Sequence, residues 1–349
     1  MQDRMETAMT PPLIAALTTI QPPTPAVHKL VQHLSGMGGL LIVAGDRKGP
    51  DAYPVANCEF LDLRAQQASG HELARHLPVG HYARKNIAYL QAMSKHAACI
   101  YETDDDNAPA VTWTRRNQTV EARFVTSSGW INAYRCFTDQ QIWPRGFPLD
   151  AVSESLRNRP PLSPGAMAVT APIQQGLANH SPDADAVWRL VLDRPFDFEP
   201  GLSIHLPPGA WCPFNSQSTW WWPEVYPLLY LPSHCSFRMT DIWRSFVAQR
   251  CLWELGYGVV IHGPEVVQER NPHDLMQDFN EEIPGYQRNR ELVTVLMGLS
   301  LRNGAGNAGA NLRDCYLALV AWEFFPPAEL DLVDLWLRDL ERVHQTLPC

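Results

Sequence analysis

The chain has 349 residues, of which 45% are hydrophobic and 19% charged, so it can bury a large core and is not an intrinsically disordered segment. Its 28 Lys and Arg residues against 37 Asp and Glu residues give a formal net charge of −9. This acidic balance argues against a nucleic-acid-binding protein, because binding to a polyanion depends on a basic excess.

Two further features indicate the compartment. The eight cysteines include no Cys-x-x-Cys pair, which is typical of reduced thiols and not of a disulfide framework or a zinc site. The apolar run at 13–17 is far shorter than the ~20 residues of a membrane-spanning helix. We therefore expect a soluble, cytoplasmic protein that associates with membranes at most peripherally and that is able to form homo-oligomers.

The first hundred residues alternate short apolar strands with helices. Strands are predicted at 13–20, 40–46, 58–63 and 99–101, and helices at 26–34, within 66–76 and at 84–98. This alternation predicts an α/β protein with a largely parallel sheet. In such sheets ligands bind at the carboxyl ends of the strands. At those ends the sequence places the polar residues Thr18, Thr19, Asp46 and Asp104 to Asp106.

Beyond residue 107 the pattern is less regular. Residues 108–215 are rich in Pro, Gly and aromatic side chains, which favours short strands and loops of the kind that shape an acceptor site. A strong helix is predicted at 240–255, ended by Gly256 and Gly258. Three more helices are predicted at 287–301, 311–324 and 327–345.

The acidic triplet is a candidate metal site. On an extended chain Asp104 and Asp106 project to the same side, about 7 Å apart at their Cα atoms, with Asp105 opposite. Two carboxylates at the mouth of a buried strand suit Mg²⁺ or Mn²⁺, which leave coordination positions for phosphates and water. Such a cation would neutralise the diphosphate of a sugar nucleotide. The alternative is a solvated acidic turn, but the position directly after an apolar strand favours the metal.

Three other positions each have a functional and a structural interpretation. Asp46 suits a contact to a nucleobase or a ribose hydroxyl, and equally an ordinary turn. Arg84 and Lys85 begin a helix, so they suit a phosphate contact as well as a solvated basic turn. Asp241 is a candidate general base, or an acid that simply complements the amino end of its helix.

Six sequence strings together resemble a known family. They are GDRKGP (45–50), HYARKNIAYLQAMSKHAACIYETDDDN (81–107), FTDQQIWPRGFPLD (137–150), IQQGLANHSPDADAVWRL (173–190), CPFNS (212–216) and TDIWRSFVAQRCLWELG (240–256). In this order, over about residues 13–300, they resemble the STELLO family of glycosyltransferase-like proteins. More distantly, the chain resembles the reversibly glycosylated polypeptides, the UDP-arabinopyranose mutases, which share the DDD, RGYPF-like and PDxDA elements.

The resemblance implies a GT-A-type nucleotide-diphospho-sugar transferase fold, an α/β fold with a mostly parallel sheet and a C-terminal helical appendage. We expect residues 11–110 to form a Rossmann-like half that binds the nucleotide sugar. Residues 111–285 would form the acceptor-side half of the same core. Residues 286–349 would form the helical C-terminal region.

The resemblance also implies roles for individual residues. It assigns Asp104, Asp105 and Asp106 to the metal and the diphosphate, and Arg84 and Lys85 to a basic pair beside them. Asp241 resembles the acceptor-side base of inverting members. Arg145 of the RGFP string is assigned to the substrate side, as are Asp183 and Asp185 of the PDxD string, for which a structural role fits equally well. His262, His273 and Gln268 are the candidates for a further metal ligand.

These resemblances favour a metal-dependent glycosyltransferase of hexosyl or pentosyl groups. Its cofactor would be Mn²⁺ or Mg²⁺, its donor a nucleoside diphosphate sugar with UDP preferred, and its acceptor a glycan or a lipid-linked molecule. A UDP-sugar mutase is the first alternative, weakened because Asp150 follows the RGFP string where the mutases carry their glycosylated arginine. A non-catalytic scaffold that assists polysaccharide synthesis is the second.

Overall fold

The computed structural model of the protein describes residues 12–192, 194–270 and 274–345. Its helices are α1 (Pro25–Gly36), α2 (Leu63–Ala68), α3 (Lys85–Ser94), α4 (Leu149–Arg157), α5 (Ala186–Leu192), α6 (Thr240–Glu254), α7 (Leu275–Met297), α8 (Ala308–Ala321) and α9 (Pro327–Gln345). The strands are β1 (Leu13–Thr19), β2 (Leu40–Gly45), β3 (Cys58–Leu61), β4 (Cys99–Thr103), β5 (Asn107–Pro109), β6 (Thr119–Phe124), β7 (Gly129–Trp130), β8 (Met167–Thr170), β9 (Ile173–Asn179), β10 (Ser203–Leu206), β11 (Ala210–Trp211), β12 (Ser218–Trp221) and β13 (Val259–Gln268).

One large sheet dominates the described part of the chain. Its strands follow the order β3-β2-β1-β4-β12-β9-β13-β10-β6-β8, and β5 pairs with β13. The strands from β3 to β4 are parallel, as the alternation of strands and helices predicts. Beyond β4 the sheet is mixed, because β12 runs antiparallel to both β4 and β9. The predicted α/β class with C-terminal helices is confirmed.

The apolar strands of the first half are covered on both faces. Along β1 the side chains alternate between two clusters, so that Ile14 and Ala16 pack with α3, whereas Leu13 and Leu17 pack with α1. All four side chains are inaccessible to solvent. This arrangement explains why the strand reads as a continuous apolar run in place of an alternating one.

The topology brings several polar chain ends to one edge of the sheet. In the parallel register of β1 and β4, Ala16 lies opposite Glu102, so Thr19 ends level with Asp105. The antiparallel β12 begins at Ser218, opposite Thr103, and therefore starts where β4 ends. The loop before β12 thus lies beside the acidic triplet.

The C-terminal helices differ from the prediction at one point. Helix α7 begins at Leu275, capped by Asp274, whose side chain accepts hydrogen bonds from the amides of Met276 and Gln277. The predicted start at 287, and the predicted region boundary at 286, both lie inside this helix. Throughout residues 12–192, 194–270 and 274–345, no helix has the length and apolar composition required to cross a bilayer.

A buried ion pair joins the sheet to α6 directly under the triplet. Glu102, in β4, accepts hydrogen bonds from Arg244 Nη1 at 3.1 Å, from Trp221 Nε1 at 2.9 Å and from the hydroxyl of Tyr89. Both charged side chains are 1% exposed or less. If either side chain were removed, the charge of the other would stay buried without a partner. Breaking this pair should therefore cost far more stability than breaking a surface ion pair.

We predict that Arg244→Met lowers the free energy of unfolding by about 3–5 kcal/mol, because it leaves the Glu102 carboxylate buried without a cation. The matched control is Arg302→Met, which removes an exposed pair with Asp314 and should cost about 1 kcal/mol or less. Urea unfolding followed by circular dichroism measures both values. Equal losses in the two variants would contradict the assigned importance of the Glu102–Arg244 pair.

Candidate functional site

A cleft of about 440 Å³ opens at the carboxyl ends of β1, β2, β4 and β13. Most of the candidate residues from the sequence line it, namely Thr18, Thr19, Asp46, Asp104, Asp105, Asp106, Arg145, Asp183 and Asp241. The acidic triplet and Arg145 with its two aspartates all line this cleft. The cleft therefore joins residues from both predicted halves of the core.

Asp104 is held in place by the buried ammonium group of Lys85. Its Oδ1 atom accepts a hydrogen bond from Lys85 Nζ at 2.8 Å and another from the Tyr82 hydroxyl at 2.6 Å. The Lys85 side chain is inaccessible to solvent and does not line the cleft. The expected contact of Lys85 with a donor phosphate is therefore wrong, because the ammonium group is committed to Asp104 within the protein.

The other two triplet carboxylates are short of compensating charge. Burial raises the pKa of Asp106 to about 7, and the negative charges of Asp104 and Asp105 raise it as well. A hydrogen bond from Gln268 acts in the opposite direction. Burial likewise raises the pKa of Asp105, although the hydroxyl of Thr19 donates to it and opposes the shift. Carboxylates that are buried and that repel one another in this way favour a bound cation.

The triplet fits the modest demands of Mg²⁺ or Mn²⁺ in a nucleotide site. In the described part of the chain, no group of three or more His, Cys, Asp or Glu side chains is arranged to hold a metal. A phosphate-bound Mg²⁺ requires only one or two carboxylates, because phosphates and waters complete its shell. Within the same residues Asp104 Oδ2 accepts no hydrogen bond, whereas the two Asp106 oxygens each accept one, from Asn107 and Gln268. Asp104 Oδ2 is therefore a carboxylate oxygen that is free to meet a cation.

Of the proposed further ligands, only Gln268 meets the cleft. Its Nε2 atom donates to Asp106 Oδ2 at 3.0 Å. His262 is wrong as a candidate, because its ring is buried between Ser203 and Gln174, to which both of its nitrogens are hydrogen-bonded. His273 lies outside the described residues.

Arg84 is a structural residue, and its predicted contact with a phosphate is wrong. Its guanidinium is buried, donating to the Gln66 side chain, to the Ala74 carbonyl at 2.9 Å and to the Leu77 carbonyl at 3.3 Å. Because these bonds occupy it within the core, it does not reach the cleft.

Asp46 lines the cleft, yet it also satisfies a turn. Its carboxylate accepts hydrogen bonds from the amides of Arg47 at 2.6 Å, Gly80 at 2.8 Å and His81 at 3.0 Å. These bonds fix the loop that carries Tyr82 into the site. The structure thus supports the turn interpretation of Asp46, and a contact to a nucleotide remains a prediction.

Arg145 connects the two aspartates of the acceptor side. Its Nε and Nη2 donate to the two oxygens of Asp183 at 2.8 and 2.9 Å. Its Nη1 and Nη2 donate to the two oxygens of Asp241 at 3.0 and 2.9 Å. Asp241 lies in the first turn of α6, and the amide and hydroxyl of Ser216 also donate to it. Bidentate pairing of this kind fixes the carboxylates in position as well as in charge.

Asp185 does not reach the cleft. Its carboxylate accepts hydrogen bonds from the Trp188 amide at 2.8 Å and from Trp143 Nε1 at 2.7 Å. Burial raises the pKa of this carboxyl to about 7. Its substrate-side assignment is therefore wrong, and the structural role that the sequence left open applies.

Two residues that the sequence analysis did not single out connect the halves of the site. The Tyr82 hydroxyl contacts Asp104 and also the Ser216 hydroxyl, at 2.5 Å. Ser216 in turn donates to Asp241, at 3.2 Å. Both residues lie within the strings HYARKN and CPFNS, which was the only available signal. Polar contacts through these two side chains therefore link the triplet to the candidate base.

The Arg145 ion pairs predict a distinct pH dependence. Burial raises the pKa of Asp183, but pairing with Arg145 and Arg238 outweighs it and holds the pKa at about 2, below the usual 3.8. The lowered pKa stabilises the folded protein above pH ~4, and this contribution is lost as the pH falls toward about 2.

We predict that Arg145→Met lowers the free energy of unfolding by about 3–5 kcal/mol near neutral pH, because Asp183 and Asp241 then stay buried without their cation. The deficit should shrink as the pH falls from about 6 to 3, because the unpaired Asp183 carboxyl of the variant becomes protonated, whereas in the wild type the advantage of the lowered pKa begins to fall below pH ~4. Urea titrations across this range measure the trend. Arg290→Met, which removes the exposed pair with Asp150, should show a small and pH-independent loss.

Comparison with known proteins gives the family likeness. The model of the STELLO glycosyltransferases matches residues 238–349. Two Arabidopsis thaliana proteins, "Probable glycosyltransferase STELLO1" and "Probable glycosyltransferase STELLO2", are 27% identical over 340 residues and 26% identical over 339. Each alignment covers 89% of this chain but 42% of the plant protein, so the chain spans less than half the length of these relatives. The resemblance to the STELLO family is confirmed.

Proposed function

We propose, from the premise that the chain is a relative of the STELLO glycosyltransferases, that it is a metal-dependent glycosyltransferase. It would move a sugar from a nucleoside diphosphate, with UDP as the preferred nucleotide, to a hydroxyl of a glycan or a lipid-linked acceptor. One observation carries the proposal, namely that the acidic triplet and the Arg145-held pair of aspartates face one cleft. A transferase requires both a group that binds the diphosphate and a base near the acceptor.

On the donor side, Asp104 and Asp106 would hold the cation. Bound there, Mn²⁺ or Mg²⁺ would neutralise the charge that develops on the departing diphosphate. The protein's own part is to keep both carboxylates in place, through Lys85 and Tyr82 for Asp104 and through Gln268 for Asp106. Because these groups are already oriented, they do not have to reorient as charge develops in the reaction, as water molecules would.

On the acceptor side, Asp241 would accept the proton of the attacking hydroxyl. A general base must reach the proton it removes, and Asp241 lines the same cleft as the triplet. Arg145 and Ser216 hold its carboxylate in one orientation. Asp183 neutralises the other edge of the same guanidinium, so the acceptor side carries no uncompensated cation from Arg145.

We predict that Asp106→Asn abolishes or weakens UDP binding in the presence of Mn²⁺ by at least about tenfold, since it removes one of two charged oxygen donors. Isothermal titration calorimetry measures the affinity. The control is Asp331→Asn on α9, an exposed position away from the cleft. UDP affinity in Asp106→Asn equal to that of the control would refute the metal site.

Asp106 is a better test than Asp104. Removing the charge of Asp104 would leave Lys85 buried without its counter-ion, so a loss of binding could come from a loss of folding. Asp106 has no such cation beneath it, since Gln268 and Asn107 are its side-chain partners in the described chain. Its replacement by asparagine keeps the size of the side chain.

We predict that Asp241→Asn retains UDP binding but slows sugar transfer by about 100-fold or more, the usual effect of losing a general base. UDP release from UDP-sugars with a panel of glycan acceptors measures transfer. Asp150→Asn is the matched control, because Asp150 is likewise an acid in the first turn of a helix but lies at an exposed ion pair. Asp241 would be only a helix-end charge if both variants kept full turnover.

The same reaction without acceptor separates the transferase from the mutase. A mutase would convert the pyranose form of a UDP-sugar to the furanose form with no acceptor present, whereas the proposed transferase would release UDP only slowly to water. Nuclear magnetic resonance of the sugar ring distinguishes the two products. A non-catalytic scaffold would do neither.

A further inference from the structure

A second cavity, of about 640 Å³, adjoins the cleft. Gln268 and Arg270 line both spaces and so form the wall between them. Pro182 also lines the second cavity, directly before Asp183, which lines the cleft. Because Gln268 also donates to Asp106, the wall borders both the triplet and the Asp183 side of the cleft, and a molecule bound in the cleft would lie next to this cavity.

One buried guanidinium group at this cavity has unused donors. Arg189 is 4% exposed, and its Nη2 donates to Asp278 Oδ2 at 2.7 Å. Its Nε and Nη1 have no hydrogen-bond partner among the described residues. Buried donors without partners are rare and costly, which makes them a sign of a missing ligand or water.

Arg270 adds a second guanidinium that lacks an ion pair in the described part of the chain. Arg189 and Arg238 lie near it, and so do the carboxylates of Asp183 and Asp106. With Arg194, three arginines line the cavity against two carboxylates, Asp197 and Glu269. Arg189 also faces the buried carboxylates of Asp278 and Glu282, so the feature that favours an anion here is the pair of unpartnered Arg189 donors and not a net charge.

We propose that this cavity is a subsite for an oxyanion, a phosphate or a carboxylate, carried by the acceptor. Guanidinium groups bind both oxyanions through paired N–H donors. Arg189, Arg194 and Arg270 are the contacting residues, and the apolar walls given by Trp188 and Leu275 would contact the adjoining part of the acceptor. The acceptor assignment rests on the proposed function, whereas the binding of the oxyanion itself does not.

The test is calorimetric titration of the full chain, without nucleotide, with inorganic phosphate, with glucuronate and with glucose as the neutral control. We expect at least one of the two anions to bind and glucose not to bind. Arg194→Gln and Arg270→Gln should each weaken the binding about tenfold, the effect of losing a charge-assisted hydrogen bond. Phosphate binding points to a phosphorylated acceptor, and glucuronate binding to an acidic glycan.

Lys48→Gln is the matched control, because Lys48 lines the cleft and not the second cavity, whereas Arg194 lines the second cavity and not the cleft. It should leave the anion affinity unchanged. A second titration in saturating UDP and Mn²⁺ should give the same anion affinity. The subsite is overturned if neither anion binds, if Lys48→Gln weakens binding as much as Arg194→Gln, or if UDP displaces the anion.

Failure of the proposed function would look different. In that case UDP would not bind, yet the titrations without nucleotide would still report on Arg194 and Arg270. Circular dichroism of each variant excludes loss of folding as the cause of weaker binding. Arg189 is left unchanged in these variants, because its pair with Asp278 makes it part of the packing between α5 and α7.

Discussion

The buried ion pair of Glu102 and Arg244 is the constraint on which the cleft depends. Glu102 precedes Asp104 by two residues on an extended chain, so both side chains leave the strand on the same side. Arg244 follows Asp241 by three residues, which is about one helical turn, so both lie on the same face of α6. The pair therefore sets the distance between the triplet and the candidate base, and a shift of α6 would have to break it.

The charges of the site are divided between two layers. Lys85 and Arg145 are buried and each is already paired with carboxylates of the protein, so they position acids and do not act as free cations. Asp105 and Asp106 have no such ion pair among the described residues, and burial raises the pKa of both carboxyls. A negatively charged donor would meet this uncompensated acidic surface, and a divalent cation is the simplest way to bring the two together.

Much of the sheet could be predicted from the sequence, because β1 and β2 are buried on both faces and consist almost entirely of apolar residues. The position of the triplet followed from the end of β4. Helix α7 was predicted to start too late, since Pro284 and Gly285 normally end a helix. In the structure Gly285 packs so closely against Met239 that a Cβ atom would lie 2.3 Å from the sulfur, so packing with the segment before α6 favours a residue that helix propensity disfavours.

The site itself was predicted less completely, and the reason is the distance along the chain between interacting charges. Arg84 and Lys85 are adjacent and look alike in sequence, but one donates to carbonyls of the core and the other to Asp104. Arg145 finds its partners 38 and 96 residues away. A sequence shows which charges exist and not which of them cancel. Whether an arginine binds a ligand or a neighbouring aspartate is decided only when the fold brings the strand ends, the loop before β12 and the first turn of α6 together.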